Sequence, residues 1–500
     1  MPHQIIFREH YGTQGQEVVY IKPPDQRVIV PLNSIYSQSI ASLVLGSFKN
    51  IFRVVFLPQG YPESVSKDYF SYQLWDTIQA LCSSLNGTLT TQAIMKGVGV
   101  GDQAATPLAA AVTWILKDGA GNVGRIVFAW WKGTSLDANC KKWRLCADIL
   151  NDFAMFLELL LPYFMGYSTA LLCAATILKS IVGVAGGATR AALTQHQAIR
   201  DNMADVSAKD GSQETCVNLL ASVAGIILLT CMGEFQHVWL MFAIFTSMHI
   251  YANYRAVKAL TISTLNTARL NIVIHTYLET GVVLDPDTVN QKEAVILGKG
   301  LSAKSICGHD IVIGESVATF IRSAALTADQ LKVLHHLHQG CGYMLVPSRR
   351  DKKIYILLQE GIHANSREIV KSYFHSVILG IATCMTKDGA KLVTKPLSPK
   401  EGPLLQRLEE ALKSSCSSTP SDFLHSESSG LEHSIPQISF INAIMASIQI
   451  DATESEQFLN LLQEAGWATS GHHLDCNEWR FIWPTPEKKI GLHGSQRQPT

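Results

Sequence analysis

Long apolar runs broken by sparse charges mark the middle of the chain, from about Asp148 to Tyr254. FAMFLELLLPYFMGYSTALLCAATIL begins at Phe153, CVNLLASVAGIILLTCM at Cys216 and VWLMFAIFTSMHIYANY at Val238. The last two approach the roughly 20 apolar residues that cross a bilayer. The pattern predicts a mainly α protein built on a polytopic membrane helical bundle. A helical pattern from Leu74 to Met95, stopped at Gly97, gives a first span. The second segment, TPLAAAVTWILKDGAGNVGRIVFAWWKG from Thr106, is interrupted by Lys117, Asp118, Gly119 and Gly121 and resumes to Trp131, which predicts a broken helix at membrane depth. A third span runs from near Trp143 to Pro162, a fourth from Tyr167 to about Arg200, a fifth from Cys216 to Met232 and a sixth from Val238 to about Ala256.

Basic residues support that ladder, because cytoplasmic loops are enriched in Lys and Arg. Lys132, Lys141, Lys142 and Arg144 lie between the second and third spans, Arg200 and Lys209 between the fourth and fifth, and Arg255 and Lys258 after the sixth. The alternate loops near Gly99, Pro162 and Phe235 carry almost none, Lys96 being the exception. Six spans with both termini cytoplasmic follow.

The flanks read differently. Residues 1–55 form a polar, β-prone lead-in with a small hairpin in VVYIKPPDQRVIVPL, and residues 56–285 hold the helical domain. The helix after Tyr254 is expected to continue, amphipathic, to Leu278. Residues 300–413 predict a smaller soluble α+β region: a helix in TADQLKVLHHLHQ, a hairpin in YMLVPSRRDKKIYILLQEG and a helix over Ser366–Met385. A Ser-rich linker, 414–434, leads to an α+β segment, 435–500, with a capping box at Thr453 and Glu456, a short helix and a strand ending NEWRFIW.

Composition narrows the function classes. Charged residues make up 16% of the chain, below the usual ~25%. Lys plus Arg equals Asp plus Glu, 41 each, so no global field favours nucleic acid. The 11 cysteines are scattered without a C-x-x-C pair, which argues against a disulfide framework or a zinc site. The first twenty residues contain neither an apolar secretory core nor a transit-peptide composition, so insertion through an internal span is expected.

Ionisable groups at membrane depth are costly unless paired or facing water, so the embedded charges are the candidate site: Lys117, Asp118, Arg125, Asp148, Asp152, Glu158 and Arg190. Structural pairing inside the bundle is the alternative. ATRAALTQHQAIRDNMADVSAKDGSQET adds a dense polar block with Asp205 and Lys209, suited to a charge network or to a solvated loop. Gly97, Gly99 and Gly101 follow a helix rather than a strand, so a turn is expected there and not a phosphate loop. Gly183 and Gly187 form a G-x-x-x-G suited to close helix packing. His335 with His338, and His472, His473, Asp475 and Cys476, are expected on solvated faces. No G-x-S-x-G, Walker A or H-E-x-x-H pattern occurs, and no enzyme, cofactor or metal is expected.

Five blocks resemble the root UVB sensitive family of eukaryotic membrane proteins: FLPQGYPESVSKDYFSYQLWD, TWILKDGAGNVGRIVFAWWKG, KKWRLCADILND, GGATRAALTQHQAIRDNMADVSAKDGSQET and HIYANYRAV. Together they cover about residues 50–280, and the tail pattern AGW…LDCNEWRFIW is similar to that of animal members. The resemblance implies a link to vitamin B6 homeostasis and, for plant members, to UV-B sensing in roots, seedling development and auxin distribution. It carries no catalytic residue. GTSLDANCKKWR further resembles the loop between spans two and three of major facilitator transporters, so six spans would make half of such a fold. A homodimer, or a heterodimer with another family member, would then complete a pathway in the lipid bilayer for a small anionic ligand at Lys117, Arg125 and Arg190. The competing expectation is a membrane-anchored scaffold that recruits partners through its C-terminal domain.

Overall fold

Six long helices follow one another between Tyr69 and Ala259 in a computed structural model that describes residues 4–10, 17–22, 29–31, 51–97, 107–232, 237–324, 328–348, 350–361, 366–387, 403–417 and 434–483. They are α1 (Tyr69–Gly97), α2 (Pro107–Lys132), α3 (Cys140–Leu160), α4 (Ser168–Gln197), α5 (Met203–Met232) and α6 (Val238–Ala259). A small antiparallel sheet precedes them, with β1 (Gln4–His10) paired to β2 (Glu17–Lys22) and β2 to β3 (Val30–Pro31). The chain divides into two units, Met1–Ile262 with Ala294–Lys299, and Ser263–Glu293 with Gly300–Thr500. Gly99, Gly101, Phe235 and most of the Ser-rich linker lie outside the described residues.

In the first unit α1 packs against α3, α5 and α6, and α4 lies between α2 and α3. The expected break in the second segment is absent: α2 is one continuous helix through Lys117, Asp118, Gly119 and Gly121. Two of its glycines serve packing. A Cβ on Gly121 would stand 2.8 Å from Ser180 Oγ and 2.9 Å from Thr176 Cγ2, and one on Gly124 would stand 3.0 Å from Ile177. Missing side chains therefore draw α2 against α4 without unwinding it. Gly225 does the same for α5 against Thr88 of α1, where a Cβ would meet Oγ1 at 2.7 Å. Gly183 and Gly187, expected at a close crossing, have open space where a Cβ would go.

All six predicted segments are helical, yet six spans do not follow. Three described helical stretches are long and apolar enough to cross a membrane: Met165–Gln197, Met203–Thr230 and Ser366–Thr386. In the first two, 22% and 11% of the apolar window is buried by protein; in the third 78% is, which makes that stretch a core helix of the second unit. Charged and polar side chains along α1, α2, α3 and α6 keep those helices out of the set.

The helix expected to run past Tyr254 to Leu278 ends at Ala259. Strand β4 (Thr264–Asn266) intervenes, and Asn266 then caps α7 (Thr267–Thr280) by accepting from Arg269 N. After α8 (Pro286–Lys292) and α9 (Ala303–Cys307), β5 (Asp310–Ile313), α10 (Val317–Ala324) and α11 (Ala328–Leu337) lead to the predicted hairpin, β6 (Tyr343–Ser348) and β7 (Lys353–Gln359). Helices α12 (Ser366–Lys387), α13 (Pro403–Ser417) and α14 (Ser434–Glu464) follow, then β8 (Ala468–His473) and β9 (Arg480–Phe481). β7 is the inner strand of one sheet, antiparallel to β6 and parallel to β5 and β9, while β8 runs parallel to β4. Thr453 and Glu456 sit inside α14 and start no helix.

α12 packs on α14, with Phe374 stacked on Phe458 at 4.3 Å between ring centroids. Arg269 and Glu293, both buried, pair at 3.0 Å. His338, expected in solvent, is buried and bonded to Leu334 O through Nδ1. Beside it, Tyr343 donates to Asp451 Oδ2 at 3.2 Å and lies 3.1 Å from His375 Nδ1.

Burial pushes the His338 and His375 imidazoles down, to about 4 and about 3, and the Asp451 carboxyl up to about 6. The histidines take protons only when the fold opens, so they stabilise it above their ordinary value of about 6.5 and lose that contribution as pH falls through their folded values. Asp451 opposes them, contributing at low pH and losing its contribution as pH rises through about 6. Two histidines outweigh one carboxyl. Acidification from about pH 7 to about pH 5 should therefore speed intrinsic-rate-corrected hydrogen exchange along α12 in the full chain, and Asp451→Asn should steepen that dependence. Glu293→Ala, which strands a buried guanidinium, should cost about 3–5 kcal/mol in the same measurement.

Candidate functional site

Polar residues in the first unit recur at helical spacing: Tyr72, Asp76, Gln79 and Ser83 on α1; Arg144, Asp148 and Asp152 on α3; Asp210, Glu214 and Asn218 on α5; His249 and Asn253 on α6. Residues three or four apart share a helix face, so each set forms one stripe. The stripes meet. Most of their residues, with Gly186 and Arg190 of α4, line a cavity of about 290 Å³.

Inside this region the charges are matched by geometry. Arg144 donates to Asp76 Oδ1 at 2.8 Å, and Tyr72 reaches the same oxygen at 3.3 Å. Arg190 Nε donates to Asp210 Oδ2 and its Nη1 to Glu214 Oε2, both at 2.7 Å, while Gln73 donates to Asp210 Oδ1 at 3.1 Å. Deeper, Asp148 accepts from Gln79 at 2.9 Å and from Asn253 Nδ2. His249, fully buried, bonds Asp152 Oδ2 at 2.7 Å. Each of these polar groups gains a partner that offsets its lost hydration. Four carboxylates line the cavity against two guanidiniums, so the lining carries an excess of negative charge.

Of the nine residues singled out in the sequence, Asp148 and Arg190 line the cavity and Asp152 sits behind it on His249. Glu158 forms a separate ion pair with Lys179 at 2.6 Å. Asp205 accepts from Gln59 N at 2.6 Å and Lys209 donates to Val54 O at 2.5 Å, so both fasten the segment before α1 onto α5. Lys117, half-buried at 22% exposure, pairs on α2 with Asp118, 68% exposed, at 3.5 Å, and Arg125 is exposed on the same helix. Those three do not join the site, because α2 contributes no residue to the cavity lining. Asp76, Gln79, Arg144, His249 and Asn253 complete the site without having been singled out; the four-residue spacing of polar groups along apolar helices is the signal that marks them. Among the described residues no group of three or more His, Cys, Asp or Glu is arranged to hold a metal ion.

A family profile described as the vitamin B6 photo-protection and homoeostasis domain matches residues 45–281, and one described as root UVB sensitive protein, C-terminal, matches residues 282–483. The chain is 36% identical over 343 residues to Protein root UVB sensitive 3 of Arabidopsis thaliana, covering 66% of this chain and 76% of that protein.

The chain belongs to the root UVB sensitive family.

RUS family member 1 of Dictyostelium discoideum is 46% identical over 280 residues, 55% of this chain and 52% of that protein, so the match spans about half of this relative's length. Protein root UVB sensitive 6 of Arabidopsis thaliana is 27% identical over 410 residues, 80% of this chain and 78% of that protein. No solved structure matches. In this root UVB sensitive protein the cavity lies wholly within the first profile's span. Arg144→Met, which leaves Asp76 without its cation, should lower thermal stability by about 1–3 kcal/mol. Arg125→Ala on the exposed face of α2 should stay within about 0.5 kcal/mol, as thermal unfolding of the full chain would show.

Proposed function

We propose that the protein is a non-enzymatic membrane protein whose helical unit binds a small polar metabolite of the vitamin B6 class between α1, α3, α4 and α5, and senses it or moves it across the bilayer. The polar cavity among helices with apolar outer faces carries this reading. Its volume, about 290 Å³, is at the lower end of the ~300–1,000 Å³ usual for ligand pockets, which suits a small molecule. Leu108, Ile115, Ile126 and Trp130 of α2, and Leu219, Val223 and Ile226 of α5, all stand exposed. Side chains of this kind are stable against lipid and a liability in water. Vitamin B6 enters through the description of the matching family profile.

Charge refines the ligand. Lys117 and Arg125 lie outside the cavity, and Arg190 is held by two carboxylates. An anionic vitamer would have to draw Arg144 and Arg190 from their partners; a protonated amine would find Asp76, Asp148, Asp210 and Glu214. The amine-bearing vitamer is therefore favoured.

Equilibrium dialysis of the purified full chain against pyridoxamine and pyridoxal phosphate tests this. Pyridoxamine should bind more tightly. Gly186→Leu should weaken it at least tenfold, about 1.4 kcal/mol, since the new side chain enters open space at the cavity wall and breaks no ion pair. Tighter binding of the phosphate would reverse the charge assignment. Binding of neither would sink the ligand reading and favour a scaffold working through the C-terminal unit.

A further inference from the structure

Gln79 stands between two titratable groups. Its Nε2 donates to Asp148 Oδ2 at 2.9 Å and to His249 Nε2, also at 2.9 Å. An accepting Nε2 places the imidazole proton on Nδ1, which donates to Asp152 Oδ2. With no proton bound, Asp148 is a carboxylate that accepts from Gln79 and from Asn253. Two buried carboxylates thus surround one neutral imidazole, and Asp152 Oδ1 has no donor at all. The nearest guanidinium, on Arg144, is bonded to Asp76. Buried negative charge without a counter-charge is costly, and protons relieve it.

An amide keeps nearly the same shape when its oxygen and NH2 exchange places. Turned that way, Gln79 accepts where it had donated, so both neighbours must donate: Asp148 as the carboxylic acid and His249 as the imidazolium. Asp148, Asp152 and His249 then sum to zero charge in place of two negatives, and the imidazolium gives Asp152 a counter-ion. A proton on His249 alone sets a donor against a donor or, with the amide turned, an acceptor against the Asp148 carboxylate, whereas a proton on Asp148 Oδ1 leaves the first orientation intact, with Oδ2 still accepting. The amide thus makes protonation of His249 depend on Asp148 being in its acid form.

We propose that Gln79, Asp148, His249 and Asp152 form a two-proton site with a fixed order, in which His249 takes up its proton only when Asp148 is already the acid. The titratable and charged groups facing it are Tyr72, Asp76 and Cys82 on α1 and Arg144 on α3, beside the site's own residues on α3 and α6. Gln79 and Asp148 also line the cavity, so a ligand meets a carboxylate when the protons are off and a neutral acid when they are on. The site needs no ligand, and it stands or fails independently of vitamer binding.

The test is a pH titration, from about pH 8 to about pH 4, of the full chain in phosphatidylcholine liposomes, labelled with carboxyl-13C aspartate for infrared spectroscopy and ring-15N histidine for solid-state NMR. As pH falls, a carboxylic-acid band absent from Asp148→Asn should rise before, or together with, an imidazolium signal absent from His249→Gln. Gln79→Leu, which removes the amide, should let the imidazolium form ahead of the acid. An imidazolium that rises at higher pH than the acid in the unmodified chain, or no titration of either group in this range, would overturn the proposal; Asp148→Ser and His249→Ala supply the assignments where the first variants fail to fold.

Discussion

Burying charge among apolar helices forces an alignment that hydrophobic packing alone would leave loose. An apolar helix can slide or rotate against its neighbour at small cost, because one methyl group replaces another. Once Asp76 of α1 must meet Arg144 of α3, and Asp152 of α3 must meet His249 of α6, a slip of one residue breaks several bonds at once. α1 is the hub of this arrangement: Gln73, Asp76 and Gln79 reach α5, α3 and α6 in turn. The cavity is what remains where these polar faces converge without filling the space.

The two units reach order by different means. The first depends on paired polar groups and on small residues that bring helices close, such as Gly121 against Thr176 and Ser180. The second has a continuous apolar core, centred on β6, β7, α12 and α14, with Phe374, Phe458 and Tyr277 packed together. Its buried polar groups, Arg269 with Glu293 and Tyr343 with Asp451, are local exceptions in that core.

Helix positions were legible in the sequence because apolar runs and their punctuation report local preference. Segment by segment, Val238–Ala259 and Ser366–Lys387 match the periodic pattern closely. What a helix faces is a tertiary property, and there the pattern misleads. Lys117, Asp118 and the nearby glycines look like a break, yet Gly121 and Gly124 are needed at a helix crossing, and Lys117, one turn before Gly121, pairs with the exposed Asp118 within an unbroken helix. Ser366–Thr386 is apolar enough to pass for a span, yet its surroundings in the sequence assign it to the α+β region, and its burial places it in a protein core. At the site, Asp148, Asp152 and Arg190 were visible as charges among apolar residues. Asp76 and His249 drew no notice singly, since each gains meaning only from a partner more than sixty residues away in the chain.

Asp205, Lys209 and Gln213 follow one another at four-residue intervals along α5, and each bonds the backbone of the segment spanning Val54 to Gln59. This makes a latch with its teeth in a single row. A force that lifts the segment from one end meets the bonds one after another, while a force that twists α5 about its axis loads all of them together. The bundle is thus soft to peeling and stiff to rotation at this end, a mechanical bias set by nothing more than the spacing of three side chains.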